Sequence, residues 1–200
     1  RRWEARPAGF MGWIFLHQPG RVYGHEKALY YFSYPLEYDH IWFIEDDIFF
    51  HSEKTLLEID LQYPNSDYIT RNINCEYAFD ENWWWRLWGA GAGVGNLPRG
   101  KDTYEEIVGF PRPMYHSLNC ASRISGLMIR SIRSYAEHAK RLFCNEYYLP
   151  MAAIYNSMKI SHPIELQTVL YSKKRLWNPD EMSKSCVYHP IHNEKNNQTG

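Results

Sequence analysis

Apolar and polar positions fall in short blocks along this chain, and the clearest lie in its first third. Residues 12–16, Gly-Trp-Ile-Phe-Leu, end before the turn pair Pro19-Gly20 and predict a short strand. Residues 25–33 predict a helix, with Ala28, Leu29 and Phe32 on one stripe and Pro35 as its stop. Ile41-Trp42-Phe43-Ile44 is an unbroken β-branched and aromatic run, the pattern of a strand covered on both faces. Ser52 is placed to cap a helix over residues 53–62, in which Leu56, Leu57, Ile59 and Leu61 supply apolar contacts. Pro64-Asn65-Ser66 turns the chain, and residues 67–70 read as another strand. Strand, helix and strand within about thirty residues predict a βαβ unit with a parallel sheet.

Past Arg71 the periodicity fades. Trp83, Trp84, Trp85 and Trp88 are followed by Gly89, Gly91, Gly93 and Gly95, which together predict a long functional loop. Residues 113–120 predict a strand. Ser122 then caps a helix through 141, with Ile124, Leu127, Met128 and Ile132 on its buried stripe. A second helix runs over residues 145–156, and Pro150 sits in its first turn, kinks it, or forces a later start. The pattern is α/β in the first third and mixed α+β afterwards.

Composition narrows the function classes. The 200 residues carry 22 Lys+Arg against 23 Asp+Glu, for a net charge of −1. That balance argues against a general nucleic-acid binder, whose affinity comes from clustered positive charge. Mean hydropathy is −0.56, and no apolar run approaches the roughly 20 residues of a membrane-spanning helix. With 44% hydrophobic and 16% aromatic residues, the chain has the material for a packed core. Cys75, Cys120, Cys144 and Cys186 are widely spaced without a CxxC, so they read as buried thiols, with a disulfide left open. Asn197-Gln198-Thr199 fits a glycosylation acceptor. The chain opens on Arg1-Arg2-Trp3 without a signal peptide, as an excised piece of a longer protein would.

The strongest chemical signal is Glu45-Asp46-Asp47, at the end of the apolar run. Adjacent carboxylates repel one another unless a cation or hydrogen-bond donors compensate. In a strand, Glu45 and Asp47 share a face and Asp46 takes the other. The carboxyl end of a parallel strand is where α/β sheets hold ligands, and carboxylate oxygens suit Mg²⁺ or Mn²⁺. The competing role is structural: the acids cap the next helix or line a solvated turn.

The strand ending in Glu45-Asp46-Asp47 resembles the DxD segment of glycosyltransferases with the GT-A fold. Together with Lys27-Ala-Leu-Tyr-Tyr-Phe32, it is similar to small GT-A-like enzymes of algal viruses and eukaryotic microbes. The resemblance implies a Rossmann-related mixed central sheet flanked by helices, with a nucleotide half that is either shortened or lost from this piece at the N-terminus. It divides one domain into a nucleotide- and metal-binding part over 1–71 and an acceptor-binding part with the tail over 72–200. It implies Mn²⁺ or Mg²⁺, a nucleotide-sugar donor, and a glycan or glycoprotein acceptor. Asp47 would be the direct metal ligand, Glu45 the first acid, where the family usually has Asp, and Asp46 the middle residue at the cofactor.

Further roles follow from the same resemblance. Glu146, in Cys144-Asn145-Glu146, takes the place of the general base; its other reading is an ordinary first-turn glutamate. His189 or His192 is a late metal ligand, with His189 preferred because it follows the apolar run Cys186-Val187-Tyr188. By their own chemistry rather than the resemblance, Trp83, Trp84, Trp85 and Trp88 offer faces on which sugars stack, or else plug the core. Arg123 neutralises a phosphate, or else forms a plain ion pair. The function expected is a metal-dependent glycosyltransferase. The alternatives are a non-catalytic carbohydrate-binding domain and a metal-dependent phosphoesterase using Glu45, Asp47 and a histidine.

Overall fold

The computed structural model describes residues 38–76, 113–139, 145–170 and 182–189. The expected strand at 12–16, the helix at 25–33, the Trp/Gly loop, Cys144, His192 and the Asn197 motif lie outside these residues.

Six strands and three helices follow one another in the described chain: β1 (His40–Ile44), α1 (Lys54–Gln62), β2 (Tyr68–Ile69), β3 (Asn74–Glu76), β4 (Met114–His116), β5 (Ala121–Ser125), α2 (Gly126–Ala139), α3 (Asn145–Tyr155) and β6 (Ile160–Ser161). A single 3₁₀ turn, Ile164–Leu166, follows β6. The main sheet has the order β1-β5-β2-β6, with β5 antiparallel to both its neighbours and β2 parallel to β6. β3 and β4 form a separate antiparallel pair. The protein is therefore mixed α/β, built on a mixed sheet with helices.

The sheet separates two apolar cores, because successive strand residues point to opposite faces. Tyr68 and Ile124 join Met128, Ile129 and Ile132 of α2 and Leu149, Ala152 and Ala153 of α3. Ile69 and Ala121 instead meet Ile59 of α1, with Leu166, Val169 and Val187 from the later segments. No helix among the described residues is long and apolar enough to cross a membrane.

Several expectations are corrected. β1 and β2 do run in the same direction around α1, but β5 lies between them, so the βαβ unit is split by an antiparallel strand. β1 is outermost among the described strands; only Phe43 of it is buried, and Ile44 is 38% exposed. Residues 121–125, expected as the first turns of a helix capped by Ser122, are the central strand β5, buried throughout. A helix start there would have left the sheet without its middle strand. The cap is Ser125, whose Oγ accepts from Met128 N at 3.1 Å and donates to Asp67 Oδ1 at 2.8 Å. The strand expected at 113–120 is confined to Met114–His116. Leu57, Leu61 and Leu127 are exposed, so the helix stripes are narrower than the apolar residues suggest. Cys75 is also exposed; Cys75, Cys120 and Cys186 are free thiols.

Pro150 lies inside α3. It has no N–H to offer the carbonyl four residues earlier, that of Glu146. Ser117 N takes that role instead, donating to Glu146 O at 2.9 Å. Asn119 Nδ2 donates to Asn145 O at 2.8 Å, so two backbone oxygens at the start of α3 are held by residues 117 and 119. The Tyr68 hydroxyl donates to Asn119 Oδ1 from beneath and lies 2.6 Å from Ser117 Oγ. Burial, the largest influence, pushes the Tyr68 phenol well above its ordinary pKa and keeps it neutral as a donor. The start of α3 is thereby tied to the segment that leads into Cys120 and β5.

Candidate metal centre

Strand pairing assembles the site at the edge where β1 ends and β5 begins. In the β1–β5 register Ile44 opposes Ala121, and the ladder extends one step further through Glu45 N, which donates to Cys120 O at 2.9 Å. Beyond that point the chain leaves the strand. Ile48 N bonds back to Glu45 O at 3.3 Å, so Glu45-Asp46-Asp47 occupy a turn. The strand alternation expected for these acids does not apply, since the turn sets their directions. Asp46 is exposed, while Glu45 and Asp47 are partly buried.

The third member arrives from the far end of the described chain. Phe49 and Tyr188 exchange backbone hydrogen bonds of 2.9 and 2.8 Å, and His189 is bridged to Val169 beside them. This seats His189, 7% exposed, against the turn. Its Nε2 lies 3.4 Å from Asp47 Oδ1 and 3.8 Å from Glu45 Oε2. Its Nδ1 lies 2.8 Å from Leu170 O. A carbonyl oxygen can only accept, so Nδ1 carries a proton. In the neutral ring Nε2 then presents a lone pair to two carboxylates, an arrangement that repels. Positive charge among the three groups turns the repulsion into attraction. A histidine fixed through Nδ1 to a backbone carbonyl, with Nε2 directed at carboxylates, is also how metal-ligating imidazoles are commonly oriented.

Cys120, rather than Asp47, forms the close trio with Glu45 and His189. It is 5% exposed, and its sulfur, a carboxylate oxygen of Glu45 and a ring nitrogen of His189 all lie within 4.8 Å of one another. Burial pushes the thiol far above its ordinary pKa; the charge of Glu45, the S–H donated to Glu45, and the charges of Glu146 and Asp47 add to this. Sequence reasoning treats Cys120 as a small hydrophobe, because nothing near it in the chain marks it as a ligand. Only the β1–β5 register brings it to Glu45.

Glu146 lies in the first turn of α3. Its negative charge acts on both the Cys120 thiol and the Tyr68 hydroxyl, so it belongs to the same electrostatic neighbourhood. Arg123 is placed elsewhere. It is 1% exposed, on the α1 face of β5, and donates to Asp60 Oδ1 and Tyr63 O, each at 2.6 Å, and to Ser66 O at 3.1 Å. These acceptors commit its guanidinium to holding α1 on the sheet, so the expected phosphate role is not met. Trp83, Trp84, Trp85 and Trp88 lie outside the described residues.

Compared with known proteins, the chain matches no family model, no curated protein and no solved structure.

Proposed function

We propose that this domain is a metal-dependent glycosyltransferase of GT-A type, moving a sugar from a nucleotide-sugar donor to a hydroxyl of a glycan or glycoprotein. One observation carries the reading: His189 Nε2, from the distant tail segment, lies 3.4 Å from Asp47 Oδ1 and 3.8 Å from Glu45 Oε2 at the end of β1. The mixed sheet with helices is compatible with a GT-A-like arrangement.

The donor set of two carboxylates and an imidazole fits Mn²⁺ or Mg²⁺. Asp47, Glu45 and His189 would hold the ion, which when bound supplies positive charge to neutralise a diphosphate leaving group. Glu45, the first acid, would meet the ion through water or reach the donor's sugar or ribose, with Asp46 exposed beside it at the cofactor. Glu146 would accept the proton of the acceptor hydroxyl as its oxygen attacks the anomeric carbon and the bond to the diphosphate oxygen breaks. The four tryptophans of the 83–88 segment would stack the acceptor.

The test is transfer from nucleotide sugars with Mn²⁺, with Mg²⁺ and with EDTA. Loss of transfer in chelator and its return with Mn²⁺ are expected; transfer that persists in EDTA overturns metal dependence. The same two acids and histidine would also serve a metal-dependent phosphoesterase. Release of inorganic phosphate with no sugar transferred would favour that reading over ours. Glycan binding that ignores Mn²⁺ and nucleoside diphosphates would favour a carbohydrate-binding domain.

A further inference from the structure

A site for Mg²⁺ alone has no use for sulfur, yet the most deeply buried side chain at this cluster is a thiol. Cys120 ends the segment fixed by Ser117 and Asn119, and its own carbonyl is bound by Glu45 N at 2.9 Å. Its position is therefore set by backbone pairing on one side and a buried polar network on the other. Its sulfur, the Glu45 oxygen and the His189 nitrogen lie no more than 4.8 Å apart. Ligand atoms around a tetrahedral ion, with bonds of about 2.0–2.3 Å, stand roughly 3.3–3.8 Å from one another. Closing the gap takes about 1 Å of side-chain movement, and Glu45 is the longest and most exposed of the three. His189 is oriented beforehand, because the Nδ1 bond to Leu170 O aims Nε2 inward.

We propose that Cys120 is a metal ligand and that, with Glu45 and His189, it makes this a sulfur–nitrogen–oxygen site that selects a thiophilic divalent cation of the zinc class over Mg²⁺. Zn²⁺ and Co²⁺ accept thiolate, imidazole and carboxylate together, whereas Mg²⁺ demands an oxygen shell. Asp47 approaches Nε2 to 3.4 Å but is not a member of this close trio. On binding, the S–H bond breaks, its proton passes to solvent and the sulfur–metal bond forms; nothing is oxidised or reduced. The inference rests on the reading that these residues hold a cation, and it does not depend on sugar transfer.

The experiment uses the full chain, stripped of metal and kept reduced. Titration with Co²⁺ should raise a thiolate-to-cobalt charge-transfer band in the near ultraviolet, which Zn²⁺ abolishes and a large excess of Mg²⁺ does not. Cys120→Ser should lose the band and bind Zn²⁺ about 100-fold more weakly, while Cys75→Ser and Cys186→Ser keep both. Since Cys120 is buried and its variant could fail to fold, zinc-edge X-ray absorption on the unaltered protein gives an independent answer. One sulfur at about 2.3 Å is expected, and a shell of nitrogen and oxygen alone overturns the proposal. Mn²⁺-dependent sugar transfer with a sulfur-free shell overturns this inference alone. A sulfur-containing shell without sugar transfer supports it and overturns the transferase. Failure to bind any divalent cation overturns both.

Discussion

His189 donates a hydrogen bond from Nδ1–H to the Leu170 carbonyl, which leaves Nε2 facing Asp47 and Glu45. Three groups that disfavour one another without a positive charge should gain stability from a bound ion. At 100 times its dissociation constant, Mn²⁺ should stabilise the protein by about 2.7 kcal/mol. Asp47→Asn should keep its metal-free stability within about 0.5 kcal/mol, since it removes like-charge repulsion from a partly exposed turn, yet lose most of the metal-induced gain. Denaturant melts with Mn²⁺ and with EDTA measure both quantities. A second residue-scale expectation concerns His116 on β4, whose ring packs 5.8 Å from that of Tyr147. Burial lowers its pKa from 6.5 to about 4. The unfolded chain therefore takes up this proton at a higher pH than the folded one. His116 contributes its stability above pH 6.5 and loses it as the pH falls towards 4. Solvent screening of the partly exposed ring reduces the effect to about 1 kcal/mol. His116→Gln should flatten the stability curve across that window in equilibrium unfolding.

At the scale of elements, the transition from β5 to α2 shows how one hydroxyl separates strand from helix. Ser125 Oγ accepts from the Met128 amide and donates to Asp67, whose other oxygen accepts from Lys159 N at 3.0 Å. Ser125→Ala removes both the cap and the link, and should cost about 1–2 kcal/mol of unfolding free energy while leaving metal affinity unchanged. Loss of metal binding in that variant would mean that the helix start and the metal edge are coupled. Local sequence was a poor guide here, because Ser122 resembles a helix cap and Ile124 and Met128 both resemble a helical stripe. The competing use of residues 121–125 as the middle strand depends on β1 and β2, more than fifty residues upstream, being present to pair with them.

Across the whole molecule, Arg123 ties the layers together. Its guanidinium reaches from β5 to Asp60, Tyr63 and Ser66, and Trp42 Nε1 on β1 also donates to Asp60, at 3.1 Å. Asp60→Ala would leave a buried cation with only carbonyl partners and should destabilise the fold by about 3 kcal/mol. Arg123→Met with Asp60→Leu, which removes both charges, should recover much of that loss in the same unfolding measurement. Recovery would confirm that the single variant fails because a charge is stranded. The candidate metal edge is likewise a whole-molecule feature, since it joins residues 45 and 189 across the two segments between which most of the described fold is formed.

Much of the architecture was legible from local pattern, and for a simple reason. Apolar runs, proline stops and turn residues act over a few positions, so β1, α1, β2 and α3 stand close to where their residues suggest. The acidic trio was visible in the same way, as three like charges with nothing beside them to compensate, whereas the turn they occupy was not. Partnership was not legible, because hydrogen-bond register and side-chain convergence link positions far apart in the chain. The insertion of β5 between β1 and β2, the burial of Arg123 against α1, the thiol of Cys120 beside Glu45 and the direction of His189 Nε2 all arise from packing, which no window of neighbouring residues contains.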